Sequence, residues 1–256
     1  MTRNAFKLRP VTVIFAVVFA LAVFAPVRVW AGSASAVAGD DPDGGSHPTV
    51  MADFNGDGIA DLAEAVAPDG SGAGFLKVSL GLADGTFRET ESNAALGRDP
   101  RAMVTADFNQ DGIPDVIVGD DDGSLRLFLG DGKGSLVPAG EVAHLDSVVS
   151  IAVADFNHDG IPDIAVSDWR RSTVAVFLGT GKGSFEGGWP LPLRMPGTVP
   201  HISAADFNGD GNPDLVVVYG DDGDYTFDVF VGNGKGAFTK APNLSFVKDP
   251  NAHCPT

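Results

Sequence analysis

One acidic pattern occurs four times: "ADFNGDGIAD" at Ala52 to Asp61, then "ADFNQDGIPD", "ADFNHDGIPD" and "ADFNGDGNPD", with the first loop residue at Asp53, Asp107, Asp155 and Asp206. The spacing Asp-x-Asn-x-Asp-Gly-x-x-Asp sets oxygen-bearing side chains at alternate positions of a tight loop, which is how a hard divalent cation such as Ca²⁺ is surrounded. An EF-hand would add flanking helices and a bidentate Glu at the twelfth loop position. That position holds Glu64, Val118, Val166 and Val217, whereas the ninth is Asp in every copy: Asp61, Asp115, Asp163 and Asp214. The loop therefore closes early and is expected between two strands. Polar hairpin turns also use Asp, Asn and Gly, but turn chemistry does not require the same acidic positions in four separate copies.

The elements that must hold these loops follow from a second landmark. A glycine turn trails each loop, as "LGLADGTF" at Leu80, "LGDGKGSL" at Leu129, "LGTGKGSF" at Leu178 and "VGNGKGAF" at Val231. These are not phosphate loops, because Gly rather than Ser or Thr follows Lys133, Lys182 and Lys235, and a strand follows the turn. The lysines are expected to be solvated. Between the landmarks run short segments rich in Val, Ile, Leu and Phe, bounded by Gly and Asp, such as "VSIAVADF", "DIAVSDW", "STVAVFLG" and "SFEGGW" in the third repeat. Four strands per unit of about 50 residues, in tandem, is the pattern of β-propeller blades, whose sheets bury both faces against their neighbours. The continuous apolar runs "DVIVGD" and "DLVVVYG" suit such double burial. The second loop residue of each copy (Phe54, Phe108, Phe156, Phe207) is expected to plug the core between blades.

The ends lie outside the repeats. Arg3, Lys7 and Arg9 precede the apolar run Val11 to Ala25, and small residues follow, so residues 1–36 are expected to be a signal peptide cut after Ala31 or Ala36. Retained, the segment would be a membrane anchor, but Pro26 and Arg28 interrupt it short of a span. Residues 37–48 are expected to be a linker, 49–249 the four repeats (about 49–100, 101–149, 150–199 and 200–249) and 250–256 a tail. Thirty-four acidic residues against 17 basic ones give a net charge of −17, which disfavours nucleic acid and anionic membranes as partners and favours cations. The single Cys254 makes no internal disulfide, so metal is the expected staple.

On these motifs the chain resembles the FG-GAP or VCBS repeat family, whose relatives include the calcium-bearing propeller of integrin α chains and some fungal lectins. The resemblance covers roughly Thr49 to Asp249. It implies an all-β, β-propeller-type array of four four-stranded blades, each with a calcium-binding loop between its first two strands, and up to four Ca²⁺. The implied ligands are Asp53, Asn55, Asp57, the Ile59 carbonyl and Asp61, then Asp107, Asn109, Asp111, Ile113 and Asp115. The third and fourth sets are Asp155, Asn157, Asp159, Ile161 and Asp163, and Asp206, Asn208, Asp210, Asn212 and Asp214. Gly58, Gly112, Gly160 and Gly211 would permit the sharp turn. Family propellers usually close with seven blades, so four repeats imply a small closed ring, a homodimer completing a larger one, or part of a longer protein.

No nucleophile elbow, His-Glu-x-x-His or Cys/His pairing stands out, and catalysis is not expected. In an up-and-down blade the acidic loops and glycine turns share one face. The opposite face receives Trp169, Arg170, Arg171, Tyr225, Arg98, Arg101, Arg194 and His201; an aromatic ring beside charged donors suits a glycan or a protein epitope. The expected protein is therefore secreted, periplasmic or cell-surface, and works in recognition or adhesion. The alternative is an ancillary or truncated domain of an extracellular carbohydrate-active or lipid-cleaving hydrolase.

Overall fold

The computed structural model describes residues 39–40, 46–66, 74–193, 201–221 and 224–242. The expected leader with both cleavage sites, Arg194, and the tail with Cys254 lie outside them. The described residues are all-β, with no helix. Part of the expected linker pairs: β1 (Gly39–Asp40) lies antiparallel to β2 (Ser46–His47). Two-residue strands are too short to carry a periodic signature, so composition alone reads as a linker.

Four antiparallel sheets follow in chain order. Sheet 1 comprises β3 (Thr49–Ala52), β4 (Asp61–Val66), β5 (Phe75–Gly81) and β6 (Phe87–Ala95). Sheet 2 comprises β7 (Pro100–Ala106), β8 (Asp115–Asp120), β9 (Ser124–Gly130) and β10 (Leu136–His144). Sheet 3 comprises β11 (Val148–Ala154), β12 (Asp163–Asp168), β13 (Thr173–Gly179) and β14 (Phe185–Pro192). Sheet 4 comprises β15 (His201–Ala205), β16 (Asp214–Asp221), β17 (Asp224–Gly232) and β18 (Phe238–Lys240). Within each sheet every strand pairs with its sequence neighbour, the up-and-down order of a propeller blade. The same residue types mark the same boundaries: the second strand opens on the ninth-position Asp of the acidic loop, and the third ends on the first glycine of the glycine turn. The first strands pack in series, β3 on β7, β7 on β11 and β11 on β15.

The core is layered between consecutive sheets. Phe54, Leu76, Val78, Met103, Val116 and Phe128 belong to the layer between sheets 1 and 2. Phe108, Ile117, Leu125, Ile151 and Ile164 belong to the next, and Phe156, Val174, Ile202, Leu215 and Phe230 to the third. Sheets 2 and 3 are covered on both sides, so β8 and β12 are buried at every residue. The outer sheets are covered on one. β4 alternates buried and half-buried residues, and in β16 Leu215 and Val217 are buried while Val216 and Val218 are half-buried. The double burial expected of "DLVVVYG" is thus met on one face only. For the same reason one of the four expected core plugs departs: Phe54, Phe108 and Phe156 are at most 1% exposed, but Phe207 is 52% exposed. Each buried ring is covered by the next sheet, and no described sheet follows the fourth.

Candidate metal centres

The acidic loops join the first and second strands of each sheet. In the first, Asp53 Oδ1 accepts the N–H groups of Gly56 and Asp57 at 2.7 and 3.1 Å, and its Oδ2 accepts that of Gly58 at 2.8 Å. Asn55 Oδ1 accepts the Asp57 N–H, and Asp57 Oδ1 the Ile59 N–H, at 2.9 and 2.8 Å. These are successive side-chain-to-backbone turns, the structures Asp and Asn favour locally. The others repeat them: Gly112, Gly160 and Gly211 each donate at 2.9 Å to the first Asp of their own loop, Asp107, Asp155 and Asp206. The turn needs a left-handed residue at this position, with φ of 83°, 85°, 82° and 89° in the four copies, where glycine alone is unstrained.

The ninth-position carboxylates have a role the sequence does not announce. Asp61, Asp115, Asp163 and Asp214 are fully buried. Oδ2 of each accepts the N–H of its loop phenylalanine, at 2.9, 2.9, 2.8 and 3.1 Å. Oδ1 accepts the N–H of the glycine ending the third strand (Gly81, Gly130, Gly179, Gly232) at 2.8, 3.0, 2.7 and 2.9 Å. One side chain thus ties the loop entrance to a strand across the sheet. The glycine is required by close approach, since a Cβ there would lie 2.2, 2.4, 2.3 and 2.1 Å from the carbonyl oxygens of Ala60, Pro114, Pro162 and Pro213. The visible signal was the Leu-Gly or Val-Gly pair opening every glycine turn. The lysines of those turns are exposed, as expected.

The loops lack positive charge. Burial pushes Asp115 up to about 6 and Asp163 to about 7 against the two N–H bonds each accepts, and neighbouring loop carboxylates push further. Among the described residues no Lys, Arg or His forms an ion pair with a loop carboxylate. Nor do three or more His, Cys, Asp or Glu side chains come together among them in an arrangement that would hold a metal ion. By residue type alone the loops are pre-turned and rich in oxygen, with donors that suit a hard cation: three carboxylates, one amide oxygen and backbone carbonyls per loop.

The opposite end carries the aromatic and basic residues. Trp169 is half-buried, and its backbone N–H donates to the Ser147 carbonyl at 3.1 Å. Arg170 reaches Asp121 Oδ2 at 3.2 Å and the Asp146 carbonyl at 3.1 Å. Arg171 holds Asp146 through two bonds of 2.9 Å, and Arg101 holds Asp99 at 2.6 Å. Arg98 and His201 are exposed. Tyr225 pairs with Gly220 in the β16–β17 hairpin, and its side chain lies outside the described residues. Arg170 and Arg171 therefore also link the loops of sheets 2 and 3, a pairing no local sequence signal reveals.

Beneath this end, Asp120 is buried with Oδ1 unpartnered, while its Oδ2 pairs with Arg126. Burial raises it to about 7, against Arg126 and the Gly97 N–H, with Asp122 raising it further. A carboxyl whose folded value exceeds its unfolded one binds more protons when folded, so its contribution to stability falls as pH rises from about 4 to 7. Asp120→Asn is expected to flatten that slope in thermal melts; an unchanged slope would show that the slope originates elsewhere.

The four-sheet array, with one acidic loop per sheet on a common face, defines a β-propeller repeat protein. The FG-GAP-like repeat model matches residues 53–118, 107–166, 166–217 and 206–256, and the chain belongs to that family. Two of the matched spans, 53–118 and 107–166, run from one sheet's acidic loop into the second strand of the next sheet. No curated protein matches the chain. FG-GAP repeats are typical of extracellular adhesion-type β-propeller modules.

Proposed function

We propose that the four loops bind Ca²⁺ and that the array is an exported recognition or adhesion module in which the metal is the staple. The observation that supports this best is a fourfold acidic loop, pre-turned by its own backbone, with no cationic side chain paired to any of its carboxylates among the described residues. Side chains at loop positions one, three, five and nine, with the seventh-position carbonyl, would hold the ion. Bound Ca²⁺ supplies the positive charge the loops lack.

Recognition is assigned to the opposite face, around Trp169, Arg170, Arg171, Tyr225, Arg101 and His201, with a glycan or an extracellular protein as ligand. Each guanidinium keeps N–H donors beyond those given to its Asp partner. The experiment is binding of wild type and Trp169→Ala to immobilised glycans and matrix proteins, paired with thermal melts. Trp169→Ala should weaken binding by about 30-fold, equivalent to about 2 kcal/mol for a truncated aromatic anchor. Its stability should change by only about 0.5 kcal/mol. Loss of stability with binding intact would make Trp169 a packing residue and move the ligand site elsewhere.

A further inference from the structure

The three internal joints between consecutive sheets are built from the same parts. The last glycine of the later sheet's turn (Gly134, Gly183, Gly236) donates its N–H to the carbonyl of the earlier sheet's loop phenylalanine (Phe54, Phe108, Phe156) at 3.0, 3.1 and 2.9 Å. The glycines also pack against leucine side chains of the earlier sheet: a Cβ on them would lie 2.6, 3.2 and 2.9 Å from the methyl groups of Leu80, Leu127 and Leu178. Two residues beyond the glycine, an apolar side chain closes over the joint. Phe185 meets Phe108 edge-on at 5.6 Å, Phe238 meets Phe156 at 5.3 Å, and Leu136 shares a core layer with Phe54.

Each end of the array carries one unmated half of this joint. On sheet 4, Phe207 stands 52% exposed, and among the described residues no glycine N–H reaches its carbonyl. Beside it, Val216 and Val218 are the half-buried face of β16, a strand written as continuously apolar as the doubly covered β8. On sheet 1, the N–H of the corresponding Gly85 turns back to Leu82 O at 2.9 Å, and a Cβ there would meet nothing within 4 Å. Phe87, the counterpart of Phe185, is 46% exposed, and Leu82 is 38% exposed. Met51, 47% exposed, alternates with the inward Val50 and Ala52 and so faces outward. Most of the exposed large hydrophobics among the described residues thus sit at these two ends, against the usual tendency of such side chains to be covered.

We propose that sheet 4 of one copy docks on sheet 1 of a second copy through a fourth version of this joint. Phe207 seats beneath the Leu82–Phe87 turn of the second copy, and Gly85 releases Leu82 and donates to the Phe207 carbonyl. The two halves are different surfaces, so the contact is head-to-tail; two copies about a two-fold axis make two seams and leave no open sheet face.

The test is the solution mass, by light scattering during gel filtration, of wild type, Phe207→Asp and Phe87→Asp. Wild type is expected at two chains and each variant at one, with melts showing both variants folded, since both side chains are exposed. An equimolar mixture of the variants keeps one intact Phe207 and one intact Phe87 turn, so it is expected to regain a two-chain species at high concentration. A single-chain wild type would mean that the chain's own first sheet or its tail covers Phe207, and would overturn the proposal. Variants that remain paired, or a mixture that stays single-chain while wild type pairs, would overturn the head-to-tail joint.

Discussion

Removing Ca²⁺ is expected to lower the melting temperature by about 10–20 °C. At about 1 mM extracellular Ca²⁺ and a loop Kd of about 10⁻⁴ M, each bound ion would stabilise the fold by about 1.4 kcal/mol, and four independent loops by about 6 kcal/mol. That is comparable with the whole stability of a typical domain, and each kcal/mol moves the midpoint of a domain this size by about 2–4 °C. Mg²⁺ should restore little, because loops of many oxygens suit the larger ion. The check is a thermal melt in chelator, then with each ion added back. A melting curve indifferent to chelator would refute the staple.

Within one loop, two carboxylates should fail in different ways. Asp163 is buried and accepts the Phe156 and Gly179 N–H groups at 2.8 and 2.7 Å, so Asp163→Ala strands one buried and one half-buried donor. Each costs about 1–3 kcal/mol, giving a loss of about 2–6 kcal/mol that persists in chelator. Asp159 is exposed, and its Oδ1 takes the Ile161 N–H at 2.8 Å. Asp159→Ala should cost about 0.5 kcal/mol in chelator and about 1.4 kcal/mol more in Ca²⁺, the contribution of one ion. Denaturant titrations of both variants, with and without Ca²⁺, measure this. Equal losses for the two in chelator would show that the ninth position is not a clamp.

The first three strands of each sheet were legible because their apolar runs are short and bounded by Gly or Asp; β11 to β13 follow the runs read in the third repeat, whereas the largely exposed β14 carries only the weaker run "SFEGGW". The acidic loops were legible as loops because their residue types encode their own turns. What spans the sequence was not. The bond from Asp163 to Gly179 crosses 16 residues, so the Leu-Gly pair marks one end of it without naming the other, and that from Arg170 to Asp121 crosses 49 and leaves no local pattern. Phe207 resembles Phe54 in every neighbour that matters locally, and its exposure depends on whether another sheet follows it. Burial of that ring belongs to the joint between sheets, and a repeat's own residues supply only half of the joint.

Native mass spectrometry of the purified protein equilibrated with millimolar Ca²⁺ tests the central claim most directly, because it counts ions per chain without assuming what they stabilise. Four Ca²⁺ per chain are expected, falling by one in Asp159→Ala and to none in chelator. A chain that stays metal-free at saturating Ca²⁺, or one whose ion count is unmoved by Asp159→Ala, would contradict it.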